Sequence, residues 1–218
     1  MKVILTGTTG MVGEGVLLEC FEHSSVNKIL SVSRKPTGRI DPRFKEYIVP
    51  DFMDLENDDE TLKGYDACFY CAGVSSVGMD EATYRRITYE TTMHFARVLS
   101  NQNPDMTFVY VTGAGTDSSE QGRLMWARIK GKTENDLAQL PFKAVYNFRP
   151  AFMKSTPGQQ HLPSFYKYVE WLYHVLKIVY PKGVCTLQQV GLAMIKSVQK
   201  GYHKHVLEVS DIKTLADS

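Results

Sequence analysis

With 218 residues the chain is sized for one domain, and 43% hydrophobic against 22% charged residues is the balance of a soluble globular protein with a sizeable core. Twenty-five Lys and Arg nearly cancel twenty-four Asp and Glu, for a net charge of +1, which excludes a bulk electrostatic hold on nucleic acid or acidic lipid. No apolar run approaches the length of a transmembrane helix, the apolar stretch before Thr6 is too short for a secretory signal, and four cysteines fit a reduced, cytoplasmic chain.

Residues 2–35 set the pattern. Val3-Ile4-Leu5 ends in Thr6-Gly7-Thr8-Thr9-Gly10-Met11-Val12-Gly13. A helical stripe follows, Val12, Val16 and Cys20 with Leu17 and Phe21 beside it, and then a β-like run over residues 28–33. Strand, glycine turn, helix and strand in that order predict the first βαβ unit of a dinucleotide-binding sheet. Gly7 allows a tight exit from the strand, Gly10 admits a pyrophosphate to the backbone, and Gly13 lets helix and sheet pack closely. The helix start offers unpaired N–H groups and partial positive charge to the phosphates.

Farther along, residues 43–50 read as a short third strand and residues 54–60 as the start of a short helix. Residues 66–72 form a fourth strand closed by Gly73. Its Cys68-x-x-Cys71 is not expected to hold metal or a redox pair, because strand positions three apart face opposite ways. Residues 80–100 carry the longest helical pattern, with Tyr84, Ile87, Thr91, Phe95 and Val98 on one stripe. Residues 106–111 are a fifth strand ending in Thr112-Gly113-Ala114-Gly115. Ser118-Ser119-Glu120 reads as a helix start, residues 121–140 as helix, and residues 144–148 as a sixth strand. After Pro150 the texture changes. Pro157-Gly158 and Pro163 mark a loop, and residues 165–180 form an aromatic-rich run with Lys167, Glu170, His174 and Lys177 interspersed. Leu187, Val190, Met194 and Val198 suggest another helix, and residues 206–209 a last short strand.

This alternation predicts an α/β fold: a doubly wound (Rossmann), mostly parallel sheet with helices on both faces and a small C-terminal elaboration. The whole of 1–218 is expected to be a single NAD(P)-binding domain, with 151–185 a lid over a substrate pocket. The aromatic run could instead lie on a membrane surface, but Glu170 and its sparse basic face weigh against that. Ligands bind such sheets at the carboxyl ends of the strands, so Gly7, Arg34, Asp51, Gly73, Thr112 and Arg149 are expected along one edge. His161, His174, His203 and His205 lack metal-ligand spacing, and no metal is expected.

Thr6-Gly7-x-x-Gly10-x-x-Gly13 resembles the TGxxGxxG signature of the extended and atypical short-chain dehydrogenase/reductases. In that superfamily the loop holds the cofactor pyrophosphate, which the resemblance assigns to Gly7, Thr9, Gly10, Met11, Val12 and Gly13. Asp51-Phe52 resembles the superfamily's adenine-contacting acid, and Cys71-Ala72-Gly73 its NAG-like motif beneath the adenine ribose. Phe148-Arg149-Pro150-Ala151 is similar to the RPG-type motif of extended members and of the Tat-interacting oxidoreductase-like branch, which brings Pro150 to the cofactor. The resemblance covers about residues 1–152.

NAD-binding members carry an acid about twenty residues past the glycine loop, where an Arg instead accommodates a 2′-phosphate. This chain reads Ser33-Arg34-Lys35 there. Arg34 can pair with the phosphate through a bidentate fork and Ser33 can add a hydrogen bond, so NADP(H) is favoured over NAD(H).

At its catalytic centre the superfamily carries a Ser or Thr after the fifth strand and then a YxxxK helix. Here these places hold Thr112 and Trp126-Ala127-Arg128-Ile129-Lys130. The lysine is present but the tyrosine is replaced by Trp126, whose indole donates a hydrogen bond and cannot give up a proton at working pH. The resemblance therefore implies an NADP(H)-binding oxidoreductase or epimerase acting on a small molecule, with Thr112, Trp126 and Lys130 at the catalytic positions. The alternative is a catalytically weakened, dinucleotide-sensing module acting through a partner protein. Tyr89 and Tyr166 are the substitute proton donors to consider. The expected partners are the dinucleotide and a small-molecule substrate, without nucleic acid, for a monomer or homodimer.

Overall fold

The computed structural model describes residues 1–163, 166 and 171–218. Strand β1 (Lys2–Thr6) lies at the centre of a parallel sheet, because its alternating side chains are apolar on both faces. Val3 and Leu5 enter one core with Val16, Leu17 and Cys20 of helix α1 (Met11–Glu22), while Ile4 enters a second core on the opposite face. The remaining strands are β2 (Lys28–Ser33), β3 (Phe44–Ile48), β4 (Ala67–Tyr70), β5 (Thr107–Val111), β6 (Ala144–Arg149) and β9 (Val206–Glu208). Their order is β3-β2-β1-β4-β5-β6-β9, every pair parallel. The order reverses beside β1, at the junction of β1 and β4, where doubly wound sheets bind their ligands.

Four local expectations are corrected. Residues 54–60 form no helix; two short 3₁₀ turns, Phe52–Asp54 and Glu60–Leu62, stand there. Asp51 and Asp59 accept from the main-chain N–H two residues on, at 3.0 and 2.9 Å, and such local bonds compete with a helix. The long helix is interrupted: α2 (Glu81–Arg85) passes through a π turn (Arg86–Glu90) into α3 (Thr91–Gln102). The wider turn shifts the inward face by one residue, so Thr88 and Thr92 are buried in place of Ile87 and Thr91.

Residues 118–120 begin no helix either. The Asp117 carboxylate gathers the Ser119 N–H, the Ser119 hydroxyl and the Gly122 N–H into a loop, and Glu120 takes a left-handed φ of 62°. Helix α4 (Met125–Leu137) starts only after it. Finally, a helix not expected from the sequence, α7 (Val209–Asp217), follows β9 and packs against α6 (Leu187–Lys200).

Cys68 and Cys71 point into different cores and both are free. A second, two-stranded parallel sheet pairs β7 (Phe152–Lys154) with β8 (Val184–Thr186), and α5 (Leu172–Val179) rests on it. Much of the aromatic run, including Phe165, Lys167 and Glu170, lies outside the described residues. No described helix is long and apolar enough to cross a membrane.

Candidate functional site

The glycine loop is shaped by close backbone contact. Gly7 leaves β1 at a φ of 71°, and a Cβ there would sit 2.6 Å from the Cys71 carbonyl at the end of β4. A Cβ at Gly13 would fall 2.2 Å from the Gly7 carbonyl oxygen, so only glycine lets α1 start against the turn. Thr6 Oγ1 accepts from the Cys71 and Ala72 N–H groups, both at 3.1 Å, and stitches the ends of β1 and β4 together. Gly10 is the N-cap of α1 and offers no side-chain acceptor. The first-turn N–H groups of Met11, Val12 and Gly13 are thus left for an anion.

A cleft of about 530 Å³ opens beside this loop. Gly7, Thr9 and Gly10 form one part of its lining, Ser33 and Arg34 at the end of β2 another. Asp51, Phe52, Cys71, Ala72 and Gly73 also line it, whereas Met11, Val12 and Gly13, named with them from the sequence, lie outside the lining. Arg34 is exposed and forms no hydrogen bond or ion pair with the described residues. The Ser33 hydroxyl donates its one proton to the Lys35 carbonyl at 2.8 Å, which holds the turn, so it must leave that carbonyl before it can bond a phosphate. Asp51 is occupied as the cap of the Phe52–Asp54 turn. The cleft also takes Arg86 and Ile87 from the π turn. Sequence reasoning missed both, because periodicity assumes an unbroken helix and places Ile87 in the core.

Thr112, Lys130 and Pro150 lie outside that cleft's lining, at the ends of β5 and β6 and on α4. Lys130 Nζ donates to the Thr112 main-chain carbonyl at 2.6 Å. Burial lowers the Lys130 pKa to about 8, against the opposing pull of the Glu134 carboxylate. The Thr112 hydroxyl is buried and donates to Glu134 Oε1 at 2.6 Å, with the Phe148 carbonyl at 3.2 Å. Glu134 is in turn clamped by Arg149, whose Nε donates to Oε1 at 3.0 Å and whose second nitrogen bonds Oε2. The structure therefore brings Thr112 and Lys130 together through the backbone and ties the threonine hydroxyl into an internal network.

Trp126 stands one turn before Lys130, half-buried, with its ring 3.5 Å from where a Gly115 Cβ would be. The tyrosines considered as substitutes are engaged. Tyr89 Oη donates to Asp136 Oδ2 at 2.5 Å, a bond that raises its pKa and makes it a poorer acid. Tyr166 Oη donates to the Met153 carbonyl. Among the described residues no His, Cys, Asp or Glu cluster could hold a metal.

Residues 155–163 fold back over the first turns of α1. The buried Glu14 carboxylate accepts from Arg39 at 2.6 Å and from the Gln160 and His161 N–H groups at 2.9 and 2.7 Å. Its pKa is lowered despite burial, because these donors outweigh desolvation. The Gln159 amide adds a bond to the Met11 carbonyl at 2.7 Å.

No family model matches the chain. It is 27% identical over 171 residues to the leucinostatins biosynthesis cluster protein T of Purpureocillium lilacinum, covering 77% of this chain. It is 27% identical over 154 residues to the mitochondrial protein FMP52 of Debaryomyces hansenii, covering 69% of this chain. The matches span 62% and 66% of those two relatives, under two-thirds of each. Among solved structures it is similar to the UDP-N-acetylglucosamine 4-epimerase of Methanobrevibacter ruminantium M1 in complex with UDP-N-acetylmuramic acid. That match has a TM-score of 0.65 at 15% identity and covers 94% of this chain and 75% of the epimerase. It is also similar to WbmF of Bordetella bronchiseptica in complex with NAD⁺, with a TM-score of 0.65 at 14% identity over 99% of this chain and 77% of WbmF. At such identities the likeness speaks for architecture alone: the chain has a doubly wound Rossmann fold, the fold of these solved structures.

Proposed function

We propose that the chain is an NADP(H)-binding oxidoreductase or epimerase of the extended short-chain dehydrogenase/reductase type, acting on a small molecule. The observation that carries this reading is the cleft itself. It joins a glycine turn closed to any Cβ, a helix start without a side-chain cap, and an unpaired guanidinium at the end of β2.

In this reading the main chain of Gly7, Thr9, Gly10, Met11, Val12 and Gly13 holds the pyrophosphate. Ser33 and Arg34 take the 2′-phosphate, Asp51 and Phe52 the adenine, and Cys71, Ala72 and Gly73 its ribose. Lys130, released from the Thr112 carbonyl, binds the hydroxyls of the second ribose, with Thr112 and Pro150 beside it. When bound, the nicotinamide supplies hydride chemistry. Residues 151–185 cover the substrate side, fastened to α1 through Glu14. A single domain over residues 1–218 and a reducing compartment such as the cytoplasm suit the two sheets and the four free cysteines. The solved neighbours carry enzyme names, so the regulatory-module alternative gains no support from them.

Calorimetric titration with NADPH, NADH and a UDP-sugar tests this reading. Saturable NADPH binding is expected, and a chain that binds neither dinucleotide would overturn it.

A further inference from the structure

Arg34 and Arg86 are the two cations among the described residues that line the cleft, and Asp51 is the one carboxylate. Asp51 accepts from the Met53 N–H at 3.0 Å, and neither arginine pairs with it. The Arg86 side chain is exposed and forms no hydrogen bond, ion pair or ring contact among the described residues. Its neighbour Arg85 is held on its own helix, 3.9 Å from Glu90 and 4.8 Å from the centre of the Tyr89 ring, and lies outside the cleft lining. Of two consecutive arginines, one is engaged and the other is left facing the cleft.

The π turn sets this division. Tyr84, Thr88 and Thr92 are buried, while Thr83, Ile87 and Thr91 line the cleft with Arg86 beside them. The Thr91 hydroxyl donates to the Arg86 carbonyl at 3.1 Å, and the Thr92 hydroxyl to the Thr88 carbonyl at 2.7 Å, so side chains of the turn itself fasten it. Single π turns of this kind recur where a helix serves a functional site. This wall belongs to the adenosine end of the cleft. Helix α3 packs on the Phe52–Asp54 turn, with the Phe52 and Phe95 rings 5.1 Å apart. Arg34 enters from β2, on one side of β1, and the helix of Arg86 follows β4, on the other side.

We propose that Arg86 is a second guanidinium for the 2′-phosphate of NADP(H), reaching it from the β4 side while Arg34 reaches it from the β2 side. The inference rests on the dinucleotide reading above and adds a residue to it. A phosphate monoester carries about 1.5 to 2 negative charges at neutral pH and three acceptor oxygens, more than one planar fork satisfies. The pyrophosphate does not need Arg86, because the free N–H groups at the start of α1 serve it. Two arginines on one phosphate are coupled, so the loss of either removes much of what both provide.

The test is calorimetric titration of the full chain with NADPH, NADH and adenosine 2′,5′-bisphosphate, which carries the 2′-phosphate without the pyrophosphate. Arg86→Gln should weaken NADPH and the bisphosphate about tenfold and leave NADH within about twofold. Arg86→Lys should keep part of the affinity, as a point charge without the fork. Arg85→Gln removes the same charge one residue away and should change none of the three. The double variant Arg34→Ala with Arg86→Gln should lose less than the product of the two single losses. Arg86 is exposed, and an unchanged thermal unfolding curve confirms the fold of its variants. NADPH affinity unchanged in Arg86→Gln, in a wild type that binds NADPH, would overturn this inference and leave the dinucleotide reading standing. Equal losses for NADPH and NADH would also overturn it, by moving Arg86 to the pyrophosphate or the adenine. A wild type that binds neither dinucleotide would overturn both readings together.

Discussion

Lys130 donates to the main-chain carbonyl of Thr112 at 2.6 Å, while the hydroxyl of the same threonine points to Glu134. The lysine is therefore placed by the backbone at the end of β5, independently of the threonine side chain. Its pKa of about 8, set by burial, means that the folded chain bears a cost for keeping it charged.

The sign of the resulting pH dependence follows from proton counts. Between about pH 8 and the ordinary lysine value of 10.5, the unfolded chain binds more protons than the folded one. Stability from this group then rises with pH through that window and is flat below it. Lys130→Met removes the ammonium, so the cofactor-free protein should gain about 1 kcal/mol at pH 7, a rise of about 2–4 °C in Tm. The pH-dependent rise should vanish, and NADPH affinity should fall. Thermal unfolding from pH 6 to 11, with and without NADPH, measures all three. A less stable Lys130→Met with unchanged cofactor affinity would assign the lysine to the scaffold.

In the proposed reading Arg34 decides cofactor choice. A charged hydrogen bond to the 2′-phosphate contributes about 1.5–3 kcal/mol, so NADPH should bind about ten- to a hundredfold more tightly than NADH. Arg34→Ala should remove most of that preference and leave NADH affinity nearly unchanged. Fluorescence titration of both nucleotides on both proteins reads it directly. Equal affinities in the wild type would overturn the NADP(H) assignment.

Much of this was legible in the sequence, for identifiable reasons. Val3, Ile4 and Leu5 sit in a strand buried on both faces, and a continuous apolar run closed by glycine announces such a strand. Gly7 and Gly13 carried their constraint in their spacing, because backbone approaches backbone wherever that spacing occurs. Arg86 and Ile87 were not legible, since a π turn leaves no periodic signature; it moves Ile87 off the expected core face and brings both to the cleft. The loop at residues 117–122 was hidden for a related reason. Ser118-Ser119 has the composition of a helix cap, but Asp117 collects those donors first. The network of Thr112, Glu134 and Arg149 joins β5, α4 and β6, and only the assembled sheet shows it.

Glu134 is the centre of that network. Its side chain is 2% exposed and that of Arg149 11%, so the pair is almost wholly removed from water. Glu134→Ala strands a buried guanidinium, leaving Arg149 only Ser118 and a longer contact of 3.4 Å to Glu208, and leaves the Thr112 hydroxyl only the Phe148 carbonyl at 3.2 Å. A loss of about 3–5 kcal/mol is expected. Glu134→Gln keeps the shape and an acceptor and should lose less. Replacing both partners, Glu134→Leu with Arg149→Met, should recover most of the loss, because the cost arises from the unpaired charge. Urea unfolding of the three variants ranks them, and a double variant as weak as Glu134→Ala would place the loss in packing.

Trp126 bears on whether the chain turns over carbonyl substrates. Its ring lies against the Gly113–Gly115 turn, one helical turn before Lys130, on the face where the proton donor of a YxxxK pair would stand. Indole cannot supply that proton, and the hydroxyls of Tyr89 and Tyr166 are already donating to Asp136 and to the Met153 carbonyl. The wild type should therefore bind NADPH and reduce simple ketones poorly. Tyrosine is smaller than tryptophan and also aromatic, so Trp126→Tyr fits the same space and puts an ionisable hydroxyl four residues before Lys130. A positioned general acid contributes about 10²–10⁴-fold, so even imperfect geometry should raise turnover measurably. The assay is NADPH oxidation against a panel of small ketones and aldehydes, wild type beside mutant, across pH 5 to 10. The gain should depend on Lys130, disappearing in Trp126→Tyr combined with Lys130→Met while the fold survives. A wild type that already turns over rapidly, with no gain from tyrosine, would mean that another group delivers the proton.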